Sequence, residues 1–105
     1  MEPAPYRIII SPRAQADLRA IHEYINTQSP GSADAVLERI HRGIDSIATF
    51  PTGRRVIERR RDPELSARGI VAWPYIVYFR VSERRHAVEV IMVRHGMRRQ
   101  PKRFR

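Results

Sequence analysis

The sequence predicts an α+β fold of order β-α-α-β-β-β, a two-helix antiparallel hairpin packed on one face of a small, mainly antiparallel sheet. Three observations carry this. Apolar residues recur at helical spacing through the first half, the period switches to two in the second half, and only a short turn-forming stretch separates the two helical segments. At 105 residues the chain is read as one domain, 1–105, large enough for a core without staples.

"YRIIIS", residues 6–11, is a β-branched run and the first strand. Ser11 and Pro12 then form a helix start, with serine as the N-cap and proline at the first helical position. Ala14, Leu18, Ile21 and Ile25 line one face of that helix. "NTQSPGS", residues 26–32, is dense in turn formers and is expected to end it. In the second helix Ala33, Leu37, Ile40, Ile44 and Ile47 form the stripe, widened by Val36 and Ala48. It is expected to stop at Phe50-Pro51, because proline disfavours helical geometry in the residue before it. "RRVIER" is a candidate short strand, and residues 60–64 read as an exposed turn. "ARGIVAW", residues 67–73, is a strand broken at Trp73-Pro74. In "YIVYFRVS" one face carries Tyr75, Val77, Phe79 and Val81, the other Ile76, Tyr78, Arg80 and Ser82. "ERRH" turns the chain into "AVEVIMVRH", residues 87–95, as a hairpin. Residues 97–105 form a basic C-terminal tail.

Charge is the strongest compositional signal. Residues 1–50 hold five arginines and six acidic residues, whereas residues 51–105 hold fifteen basic and five acidic ones, with Lys102 the only lysine. The C-terminal half therefore suits a polyanion or an acidic partner. The arginine fork matches phosphate and carboxylate better than an ammonium does; a solvated face built by arginine-rich codon usage is the plain alternative. The chain has no cysteine, which excludes disulfides and thiolate chemistry. No apolar run approaches the roughly 20 residues of a membrane span, and no signal-peptide core opens the chain, so a cytoplasmic location is expected.

The chemistry-bearing residues are few. His22, His41, His86 and His95 share no metal-ligand spacing, and no metal or cofactor is expected. "FPTGRR" has one glycine and fails the phosphate-loop pattern. What remains is the polar face of the sheet, with Arg80 in one strand, Glu89 in the next, and Arg94 and His95 at its end. Cations beside an imidazole can stabilise a phosphate and move a proton near neutral pH. The same residues can equally be a hydrogen-bonded network on a solvated face.

In order, "YRIIISPRAQADLRAIHEYI", "FPTGRR", "YIVYFRV" and "VEVIMVRHGMRR" resemble the RelE/ParE toxins of bacterial type II toxin–antitoxin systems, over residues 6–99. The resemblance implies the fold above and a growth-arresting toxin neutralised, as a hetero-oligomer, by a cognate antitoxin whose disordered segment folds across it. The family divides by target. RelE-like members are ribosome-dependent mRNA endonucleases, and by that resemblance Arg80 and His95 would be catalytic. ParE-like members, which also serve plasmid stabilization, inhibit DNA gyrase by protein contact, and Arg94, His95, Arg98 and Arg99 would then bind the target. The tyrosine expected beside the terminal histidine is missing, since Gly96 and Met97 follow His95, and "HGMRR" is closer to the ParE-like ending. The reading taken forward is ParE-like, with the ribosome and mRNA as alternative target and a non-toxic basic nucleic-acid-binding module as a further one.

Overall fold

The computed structural model of the protein describes residues 4–97, 103 and 104. Ser11 separates the first strand, β1 (Arg7–Ile10), from the first helix, α1 (Pro12–Gln28). Its hydroxyl accepts from the Ala14 N–H at 3.1 Å, satisfying one of the donors every helix start leaves open. Pro12 follows where no N–H is needed. The helix runs on through Asn26 and Thr27, past its expected end. Within it the Thr27 hydroxyl donates back to the Glu23 carbonyl at 2.9 Å, one of the two arrangements a helical threonine adopts. The reversal falls on Ser29–Ser32 instead, with Gly31 at φ 90°, a conformation that favours glycine.

The second helix, α2 (Ala33–Ile47), stops before the expected Phe50-Pro51. The Ala48 carbonyl accepts from the Tyr6 N–H at 2.8 Å, which ties the helix end to the start of β1. Phe50 then adopts φ 57°, and the chain turns into a short 3-10 segment, Pro51–Gly53. "RRVIER" does form a strand, β2 (Arg55–Glu58). After a second 3-10 turn, Pro63–Leu65, come β3 (Ala67–Ala72), β4 (Tyr75–Ser82) and β5 (Ala87–His95). The sheet therefore has five strands in the order β1-β5-β4-β3-β2. Only β1 is parallel to its neighbour, β5, and the other pairings are antiparallel. The predicted architecture holds, with β2 as an added edge strand.

Both faces of this sheet are covered, unequally. On one side Ala14, Leu18, Ile40, Ile44 and Ile47 of the helices meet Val77, Phe79, Val81, Val88 and Val90. The alternation of β4 places its odd-numbered residues there, as read from the sequence. On the other side a smaller cluster joins Ala67, Tyr78, Ile91 and Met92 to Phe104, whose ring is 1% exposed. The second cluster depends on an irregularity. Along β5 the partner of β4 moves from Val90, opposite Phe79, to Met92, opposite Tyr78. Ile91 is the extra residue of a β-bulge, and such a residue reverses the facing of everything beyond it. Before the bulge, even-numbered residues of β5 face the helices. After it, Val93 does, opposite Val77, and Arg94 is opposite Ile76 on the far side.

Two measurements follow from this packing. Ser11→Ala should lower unfolding stability by about 1 kcal/mol in urea titration, the usual worth of a capping hydroxyl; unchanged stability would remove the cap from the account. Burial raises Tyr75 and Tyr78 above the ordinary phenol value of 10.0, with Arg94 offsetting part of the rise at Tyr78. The unfolded chain then releases these protons first. The stabilisation is complete below pH 10 and is lost as pH climbs through the raised folded values. Stability should fall on that alkaline limb, and Tyr78→Phe should make the fall shallower.

Candidate functional site

The far face of the sheet carries a cleft of ≈ 450 Å³. Arg80 and Glu89, cross-strand partners in β4 and β5, form one wall. Arg94 lines it beyond the bulge, Arg13 reaches it from the start of α1, and Arg103 and Phe104 close it from the C-terminal side. Among the described residues, four guanidinium groups thus share one concavity with a single carboxylate. Its floor is Ile91 and Met92, the two residues the bulge turns to the same side. Cations set over an apolar floor suit an anionic surface that also has something apolar to bury.

Arg80 is not open at its tip. Its Nε donates to the Leu65 carbonyl at 3.1 Å and its Nη2 to the Phe104 carbonyl at 2.9 Å. Arg60 donates to the same Phe104 carbonyl at 3.3 Å while its Nε meets Glu58 at 3.1 Å. Arg80 therefore holds the second 3-10 turn and residue 104 against the sheet.

His95 is elsewhere. It is paired with Tyr75, packs edge-on against that ring at 5.3 Å, and lines a groove of ≈ 560 Å³ between β5 and α1 with Asp17, Ile21 and Tyr24. Its Nδ1 accepts from the Met97 N–H at 3.0 Å, which leaves Nε2 to carry the proton of the neutral ring. Asp17 accepts from the Val93 N–H at 3.0 Å, so a helix side chain covers β5 beyond the reach of β1. The bulge thus brings Arg80, Glu89 and Arg94 together and leaves His95 outside the cleft they line. Among the described residues, Arg94 alone of those selected from the sequence lines both concavities. Arg98 and Arg99 lie outside the described residues. Gly96 matters for closeness rather than for φ. Its N–H donates to the Pro74 carbonyl at 2.7 Å, and a Cβ would stand 3.1 Å from that oxygen.

Sequence reasoning passed over Arg13, Arg103 and Phe104. Arg13 stood inside a helix-capping signal, and the only hint for Phe104 was a lone aromatic in a basic run. The remaining histidines have local partners or solvent. His22 meets Asp34 at 3.1 Å, His86 stacks on Tyr6 at 3.9 Å, and His41 is exposed. Among the described residues no group of three or more His, Asp or Glu could hold a metal, and no helix is long and apolar enough to cross a membrane.

Residues 8–100 match the model of the ParE toxin of the type II toxin–antitoxin system parDE. The chain is also similar to Toxin RelE2 of Caulobacter vibrioides, 33% identical over 87 residues that make up 82% of this chain and 90% of that protein. Its fold is shared with a chain of the chromosomal ParDE system of P. aeruginosa, at TM-score 0.68 and 17% identity over 86% of this chain and 95% of that one. The toxin–antitoxin complex RelBE2 of Mycobacterium tuberculosis gives TM-score 0.59 and 19% identity over 90% and 94%. With the helical hairpin, the five-stranded sheet and nearly the whole length of the sequence in agreement, this chain belongs to the ParE toxin family of type II toxin–antitoxin systems.

Proposed function

We propose that the chain acts in the ParE-like manner, inhibiting DNA gyrase in the cytoplasm by protein–protein contact, and that a cognate antitoxin neutralises it. The separation of His95 from the arginine cleft carries this reading. Cleavage of RNA by attack of the ribose 2′-OH on the next phosphate needs a group that takes a proton close to the cations that stabilise the developing charge. In the cleft the described acid–base group is Glu89, an exposed carboxylate, in place of the imidazole that the nuclease reading assigns. The same cleft, four arginines around an apolar floor, fits an acidic protein surface well. Arg94, at the junction of the two concavities, is the expected centre of the contact, with His95 beside it; Arg98 and Arg99 are the further target-binding residues expected from the sequence. An antitoxin is supported by the family itself and by the two structural neighbours, both toxin–antitoxin systems.

The name of the Caulobacter relative favours a second reading, a RelE-like ribosome-dependent mRNA endonuclease using Arg80 and His95. The two part cleanly in vitro. Purified protein added to gyrase should block supercoiling of relaxed plasmid. Arg94→Ala should raise the half-inhibitory concentration by at least about tenfold, as expected for an arginine central to an interface. Intact gyrase activity, together with codon-positioned mRNA cuts in translating ribosomes that vanish in His95→Gln, would replace this reading with the nuclease.

A further inference from the structure

The arginine cleft is closed by a part of the chain that the fold does not need for its main core. Phe104 lies 1% exposed on the far face, its ring centroid 4.8 Å from that of Tyr78, in the cluster with Ala67, Ile91 and Met92. Its carbonyl receives two guanidinium donors, from Arg80 at 2.9 Å and Arg60 at 3.3 Å. A carbonyl has two acceptor directions, and here arginines of separate segments take both. Next to it Arg103 is exposed and lines the cleft.

From this arrangement we infer that Phe104, Arg60 and Arg80 form a latch, whose role is to hold Arg103 at the mouth of the arginine cleft and so to complete the surface that meets the target. These are positioning residues. Phe104 supplies buried apolar contact, and the two guanidinium groups fix its carbonyl. A flexible cation contributes little to recognition because ordering it costs entropy at each binding event, whereas a cation fixed beforehand avoids that cost. The latch gives Arg80 a role through Arg103 that does not require its own tip to touch the target. The inference rests on the cleft being the contact face proposed above.

The test separates the two ideas by reading the cleft with and without gyrase. Phe104→Ala leaves the net charge unchanged, so any loss of polyanion affinity reports arrangement and not charge count. It should elute from immobilised heparin at lower salt than the native protein, and it should need about tenfold more protein to half-inhibit gyrase. Phe104→Leu, which keeps an apolar anchor, should restore most of both. The methyl resonances of Ile91 and Met92 should lose their ring-current shift in both variants, showing that the ring sat where described. Should Phe104→Ala fail to fold, Arg60→Gln replaces it, compared with Arg59→Gln at equal charge; the latch predicts a larger loss of heparin affinity for the first. Equal heparin elution and equal gyrase inhibition for native protein and Phe104→Ala would overturn the latch, as would equal elution for the two arginine variants. A heparin shift without any gyrase inhibition by the native protein would uphold the latch and remove gyrase as the target.

Discussion

One additional residue in β5 decides which side chains can act together. Without the bulge at Ile91, the two-residue period of the strand would put His95 on the face of Arg80 and Glu89, with Arg94 under the helices. With it, Val93 completes the helix-side core and Arg94 joins the cleft. The same residue supplies the second core, because Ile91 and Met92 lie side by side on the far face and give Tyr78 and Phe104 something to cover. Position of the cations, exclusion of the imidazole and burial of the C-terminal aromatic thus share a single cause.

The helix side imposes the complementary constraint. β1 pairs with β5 only over Ala87–Val90, because Ser11 must leave the strand to cap α1. Beyond that point β5 would present an unpaired N–H, an expensive group to leave unsatisfied where it is partly buried. Asp17 meets it at Val93, one helical turn further along the face that begins at Ala14. A carboxylate on the first helix therefore replaces a strand, and α1 can lie over the end of the sheet. The groove that contains His95 is the space left between them.

Much of this was legible in the sequence, for reasons that also mark the limits. The stripes of both helices and the alternation of β4 have a phase, since polar residues interrupt the apolar ones, and each of those faces reads correctly. β5 has no phase to read beyond Glu89. Val90, Ile91, Met92 and Val93 are all apolar and all buried, so a continuous run conceals which residue is the inserted one. The error in grouping His95 with Arg80 follows directly. β2 was faint because an edge strand of four residues, half-exposed and flanked by arginines, carries little hydrophobic pattern. Phe104 was invisible for a different reason. Its burial comes from a contact with Tyr78, distant in sequence, and no local periodicity encodes that.

The preference for arginine over lysine has a structural component as well as an electrostatic one. Arg39 donates to the Trp73 carbonyl, Arg54 to Ser46, Arg68 to both Thr52 and Arg54, and Arg60 and Arg80 to Phe104. Each of these carbonyls lies at a helix end, in a turn or in the terminal segment, where main-chain acceptors lack ladder partners. A guanidinium can reach such an oxygen with one nitrogen and keep another for a second acceptor, as Arg60 and Arg80 do through Nε and Nη2; an ammonium has no fixed fork with which to do so. Ion pairs are a minor alternative, since exposed pairs such as Arg42–Glu38 contribute little. Part of the positive charge in the second half is therefore the means by which its loops are fastened. The charge on these fastened guanidinium groups is then available to a partner at little further cost in order, because the fold has already immobilised them.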